Sequence, residues 1–143
     1  MTDQEIQRNV LDEFKWDARI QPNEIGVAVK DGVVTLAGNI DSYMKKWQAE
    51  EIALRVRGVR VVANELQVKL PSRDERTDED IAHAAKQALD SSLEVPDSVR
   101  VSVDGGIVTL RGEVEWQHQR RAAGRSVSNL VGVKGVINLI EIK

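Results

Sequence analysis

The chain of 143 residues carries 20 Lys and Arg against 23 Asp and Glu, a net charge of -3, and no cysteine. That composition fits a soluble globular fold and leaves no apolar run long enough to span a bilayer, no disulfide framework, no thiolate metal site and no thiol nucleophile. The charge is spread evenly over both halves, so the basic footprint that nucleic acid requires is missing and no nucleic-acid partner is expected.

The opening segment, MTDQEIQRNVLDEF, is polar and acidic, with neither the basic nor the apolar region of a signal peptide. The expectation is a cytoplasmic protein, or a periplasmic one if a leader has been removed. Thr2 and Asp3 form a capping signal, and Ile6, Val10 and Phe14 follow at helical spacing, which predicts an amphipathic first helix. Ile25, Val27 and Val29 then alternate with Gly26, Ala28 and Lys30, the period of a strand with one buried face. Asp31-Gly32 suits a two-residue hairpin turn, and VVTL is the return strand, expected to end at Gly38, where a side chain would obstruct a bend or a packed helix. A second helix is predicted over residues 42–57, with Ala49, Ile52, Ala53 and Val56 on one face and Gly58 stopping it as a C′ residue. Val62, Asn64, Leu66 and Val68 alternate along a last strand.

The same pattern then recurs, which decides the domain organisation. Thr77, Asp78 and Ile81 answer Thr2, Asp3 and Ile6; one residue is dropped near Pro22, and the register then holds to the end. Gly106, Val108, Thr109, Leu110 and Gly112 answer Gly32, Val34, Thr35, Leu36 and Gly38, and Gly132, Val133, Val136 and Asn138 answer Gly58, Val59, Val62 and Asn64. The second crossover helix is predicted over residues 116–131, with Ala123, Ser126, Val127 and Leu130 on its buried face and Gly132 as its stop. Residues 1–70 form a first domain, 71–76 a charged linker, and 77–143 a second domain, each repeat being about 65 residues, near the lower limit for one independent core. The predicted class is α+β: two α-β-β-α-β units, each a three-stranded mixed sheet with two helices on one face.

DGVVTLAG and GGIVTLRG, each followed by a helix and a Gly-Val pair, resemble the BON domain family over nearly the whole chain. The resemblance implies a fold of this layout and a role in binding phospholipid surfaces or supporting the cell envelope under stress. Many members are periplasmic or envelope-associated, and some BON-containing proteins are linked to potassium binding.

Gly32, Gly38, Gly58, Gly106, Gly112 and Gly132 are read as turn and cap residues demanded by backbone geometry, since no phosphate-cradling pattern follows a strand. His83 and His118 form no zinc-binding pair, and no nucleophile and base stand at readable spacing, so neither an enzyme, a metal site nor a cofactor is expected. The acidic run from Asp74 to Asp80 lacks the glycine and ligand alternation of a calcium loop and reads as a solvated linker entering a helix. The starts of the second helices are more informative: Tyr43, Lys45, Lys46 and Trp47 in one, Trp116, Arg120, Arg121 and Arg125 in the other. Cations beside interfacial aromatics suit an anionic phospholipid surface, although tryptophans that close the edge of each core beneath solvated cations account for the same letters. Ile137 and Leu139 leave the second sheet apolar on both sides, where the first copy has Ala63 and Glu65, and so mark a surface for self-association or a protein partner. The leading expectation is a non-enzymatic module binding phospholipid or envelope surfaces. The alternative is a cytoplasmic interaction scaffold or small-ion (potassium) sensor acting through the interdomain seam.

Overall fold

Two threonines start the two halves in the same way. In the computed structural model, which describes residues 1–20 and 25–143, Thr2 caps α1 (Asp3–Trp16) by accepting from the Glu5 amide, and Thr77 caps α3 (Asp78–Ser91) by accepting from the Asp80 amide. Each helix buries residues spaced by four, Ile6, Val10 and Phe14 in one and Ile81, Ala85 and Leu89 in the other. The one-residue difference expected near Pro22 lies outside the described residues.

In the first unit, β1 (Gly26–Lys30) pairs antiparallel with β2 (Val33–Ile40), which crosses through α2 (Tyr43–Arg55) to the parallel β3 (Val61–Val68). Both helices cover the face that carries Val27, Val34, Leu36 and Leu66, so the sheet is mixed and helices lie on one side of it. The second unit repeats this with β4 (Arg100–Asp104), β5 (Ile107–Arg111), α4 (Gln117–Ser128) and β7 (Gly135–Asn138), in sheet order β4, β5, β7. A further short parallel pair, β6 (Glu113–Val114) with β8 (Glu141–Ile142), continues the paths of β5 and β7 beyond a break. The chain divides into compact units Met1–Lys69 and Leu70–Lys143, and Ser72–Asp74 form a 3-10 turn. None of the described helices is long and apolar enough to cross a membrane.

The acids after the caps do more than complement a helix dipole. The Asp3 carboxylate accepts from the amides of Asp31 and Gly32, both at 3.0 Å, and that of Asp78 accepts from Gly105 and Gly106, both at 2.9 Å. One side chain per unit therefore ties the start of its first helix to the hairpin turn.

Three expectations are corrected. The return strand does not end at Gly38: β2 runs on to Ile40 with Gly38 at φ 129, and in the second unit Gly112, at φ 128, separates β5 from β6. A Cβ on Gly112 would stand 2.4 Å from the Ser98 carbonyl oxygen, so glycine is needed there for a close backbone approach inside a bent strand. Gly58 and Gly132 are not C′ residues either, because α2 is capped by Val56 and α4 by Asn129. They occupy the third position of tight turns closed by Val59 N to Val56 O at 3.1 Å and Val133 N to Leu130 O at 3.3 Å, with φ of 92 and 93, as a type II turn requires. Finally Ile142, which continues the alternation of Val136, Asn138 and Ile140 along the last strand and on that period should face inward, is 47% exposed, because β8 pairs only with the two-residue β6.

Candidate functional site

The hairpin turn and the start of α1 lie at one end of the first unit, held there by Asp3. β2 leads away from that turn, so α2 begins at the opposite end, where α1 finishes; correspondingly, Gly58, beyond the end of α2, sits against Met1 and Ile6. The second unit follows the same path. The basic starts of α2 and α4 therefore share an end of their units with the last turns of α1 and α3, respectively.

That end is where large apolar side chains reach solvent. Trp16, in the last turn of α1, is 81% exposed, and Leu93, just beyond α3, is fully exposed. Neither was singled out in the sequence, although each lies off the buried i, i+4 row that ends at Phe14 or Leu89. Trp116 is 56% exposed. Tyr43, Lys45, Lys46 and Trp47 are half-buried at the start of α2.

Trp116 and Ser42 hold the same place in the repeat, immediately before a helix. Ser42 is a conventional cap whose hydroxyl accepts from the Lys45 amide at 3.2 Å. Tryptophan has no acceptor to offer. Gln119 supplies only the reverse half of a capping box, its Oε1 accepting from the Glu115 and Trp116 amides at 3.0 and 2.9 Å, while its own backbone amide donates to the Trp116 carbonyl at 3.1 Å. No acid lies in the first turn of α2 or α4, unlike α1 and α3, so the positive end of each helix dipole is joined by cations rather than neutralised within that turn.

The eight candidate residues do not act alike. Arg120 is not a solvated cation: its Nε donates to the Ile140 carbonyl and its Nη2 to the Asn138 carbonyl, both at 3.0 Å, fastening α4 to the last strand. Lys45 pairs with Asp41 at 2.8 Å one turn away, and Arg125 approaches Glu94 at 3.8 Å. Among the described residues, no ion pair or side-chain hydrogen bond engages Lys46 or Arg121. Tyr43 and Trp47, spaced by four, share the α2 face that begins this end of the unit. Ile137 and Leu139 lie elsewhere, on the outer side of the second sheet, 47% and 49% exposed.

The titratable groups offer little chemistry. His83 is exposed and 3.7 Å from Glu79, and His118 is exposed on α4. Among the described residues, no three His, Asp or Glu side chains gather as a metal site. A concavity of about 380 Å³ beside the start of α3 includes Thr77, Asp78, Gly105 and Gly106, but its carboxylate is already engaged by the two turn amides. One carboxyl stands out electrostatically: Asp17 accepts a bidentate pair from Arg19 Nε and Nη2 at 2.9 and 2.7 Å, with the Arg19 amide adding a third bond, and its pKa falls to about 2.

Residues 2–69 and 77–143 each match the BON domain. The osmotically-inducible protein Y of Escherichia coli strain K12 is 30% identical over 133 residues, covering 87% of this chain; the chain spans 64% of that relative's length. The uncharacterized protein in gshII 5'region of Anaplasma centrale is 29% identical over 130 residues, with 85% of this chain and 83% of that one covered. Among solved structures, the C-terminal domain of CdsD, the structural protein of the type III secretion system of Chlamydia trachomatis, is similar across 100% of this chain and 68% of its own, with a TM-score of 0.41 and 14% identity.

Proposed function

Because the chain belongs to the BON domain family, with both of its units matched, we propose that it is a non-enzymatic module that binds anionic phospholipid surfaces of the cell envelope under osmotic stress. The stress setting is taken over from the name of the osmotically-inducible relative. The binding reading is supported by one observation above the others: a helix cap position that serine fills in the first unit is given to a largely exposed tryptophan in the second. Replacing a capping hydroxyl in this way ordinarily costs about 1 kcal/mol of helix stability. A local rule broken at a surface position points to a use outside folding.

Trp116 with Arg121, and Trp16 with Lys46, supply the pairing that an interfacial contact uses, a ring at the headgroup boundary and cations on the phosphates. Each phosphate-facing cation near an anionic leaflet contributes on the order of 1 kcal/mol, screened over a Debye length.

The test is co-sedimentation with phosphatidylglycerol and with phosphatidylcholine vesicles across a salt series. Salt-sensitive binding to the anionic vesicles alone, weakened in Lys46→Glu with Arg121→Glu, is the expected result. Equal binding to both vesicles, or an unchanged double variant, would overturn the reading. Those two positions are chosen over Arg120, whose replacement would also break its bonds to the last strand.

A further inference from the structure

The outer face of the second sheet is self-complementary, and its register says how. Side chains alternate along β4, β5 and β7, and those pointing away from the helices form three rows across the strands. Asp104, Ile107 and Gly135 make the row nearest the hairpin turn; Ser102, Thr109 and Ile137 make the middle row. Arg100 and Arg111 stand directly opposite each other in the third, with Leu139 beside them.

Three features of this face are unsatisfied within the unit. Ile137 and Leu139 leave about half of their surface in water. Arg100 and Arg111 are two like charges facing across a strand pair, an arrangement that opposes pairing unless an anion lies between them. No ion pair among the described residues reaches either one. Gly135 leaves a low point, over which only the Ile107 Cδ1 leans, 2.9 Å from where a Cβ would be.

A two-fold axis through the middle row, perpendicular to the strands and in the plane of contact, exchanges the first row with the third. It sets Asp104 of one copy against Arg100 of the other, with Arg111 one strand across over Ile107, and Leu139 over Gly135. Thr109 meets its own equivalent at the centre, and Ile137 meets its own equivalent along the β7 side of the contact. Each contact occurs twice, as an isologous interface demands, with the two sheets aligned face to face. The corresponding face of the first unit does not have this property: Lys30 would meet Gly26, and Glu65 would meet Val61, with no charge opposite either.

We infer that the chain forms a symmetric dimer through the Asp104, Ile137, Leu139, Arg100 and Arg111 face of its second unit, the occupant of that face being a second copy. Three strands and three rows make a small contact, below the roughly 1,200 Å² of standard interfaces, so the dimer is weak.

Sedimentation equilibrium of the full chain, without lipid, tests this between about 5 μM and about 1 mM, a range suited to a weak association. A monomer–dimer equilibrium is expected, and Leu139→Glu should abolish it. Asp104→Arg and Arg100→Asp, both on exposed polar positions that leave the core untouched, should each weaken the dimer at least tenfold, and the two together should recover most of it. A monomer across the whole range overturns the inference, as does a dimer indifferent to these three substitutions. Should the chain stay monomeric while Ile137 and Leu139 signals shift only on adding vesicles, the face belongs to lipid and the dimer is again overturned.

Discussion

Asn138 and Arg120 hold each other from both sides: the Asn138 side-chain amide donates to the Arg120 carbonyl, and the Arg120 guanidinium donates back to the Asn138 carbonyl, each at 3.0 Å. The first unit keeps half of this arrangement, Asn64 donating to the Lys46 carbonyl at 3.1 Å. Asn138→Ala should therefore lower stability by about 1 to 2 kcal/mol, since the partly buried carbonyl loses its donor. Urea unfolding measures it, and a double-mutant cycle with Arg120→Ala should show a coupling above about 0.5 kcal/mol.

Asp78 accepts from both amides of its hairpin turn. Asp78→Ala should cost about 1 to 2 kcal/mol. Amide hydrogen exchange at Gly105 and Gly106 should accelerate more than exchange within β4 and β5. Uniform acceleration throughout the unit would instead show only a global loss of stability.

The Asp17 carboxyl titrates at about 2 in the folded chain, below its ordinary value of 3.8, chiefly through the Arg19 side-chain bonds. A depressed carboxyl contributes stability above its unfolded pKa and loses it as the pH falls through the folded one. Arg19→Ala should thus be less stable than the natural chain at pH 5 to 7 by under about 1 kcal/mol, Arg19 being half exposed. The difference should vanish as the pH falls from about 4 to about 2. Carbon-detected NMR titration of Asp17 should show the return of its pKa towards the ordinary value.

Trp116→Ser should move two quantities in opposite directions. Restoring a capping hydroxyl should leave stability unchanged or raise it by up to about 1 kcal/mol, Gln119 already supplying part of the cap. Affinity for phosphatidylglycerol vesicles should fall. A loss of stability would mean that the ring packs more than its exposure indicates.

Gly112→Ala and Gly105→Ala should differ sharply, although both glycines have positive φ. A Cβ at Gly105 meets nothing within 4 Å, whereas at Gly112 it meets the Ser98 backbone. The first substitution at Gly112 should cost about 3 kcal/mol or more and the one at Gly105 about 1 kcal/mol, measured by thermal unfolding.

Local signals were the legible ones. Thr2-Asp3 and the Ile6, Val10, Phe14 spacing announce α1, and the repeated V-T-L after a two-residue turn announces the hairpin, because caps and periodicity act over a few residues. Gly58 and Gly132 misled as helix stops, since a glycine after a helix reads alike as a C′ residue and as the third residue of a type II turn. The starts of α2 and α4 could be read as basic and aromatic. Which cations stay unpaired could not, because Arg120 is claimed by carbonyls 18 and 20 residues away. Trp16 joins the start of α2 in the first unit, and Leu93 the start of α4 in the second, only through the path of the strands between them.

The residues that fasten α4 also close a border. Leu139 turns its amide towards β5, so the main-chain groups of Asn138 and Ile140 point off the open side of the sheet. Arg120 occupies both of those carbonyls, and Asn138 Oδ1 accepts the Ile140 amide at 3.2 Å. An incoming strand would find this stretch of backbone already bonded, which guards the edge against fibril-like stacking. Loss of Arg120 would expose two carbonyls there, and the variant should aggregate from its native state faster than its loss of stability alone would bring about.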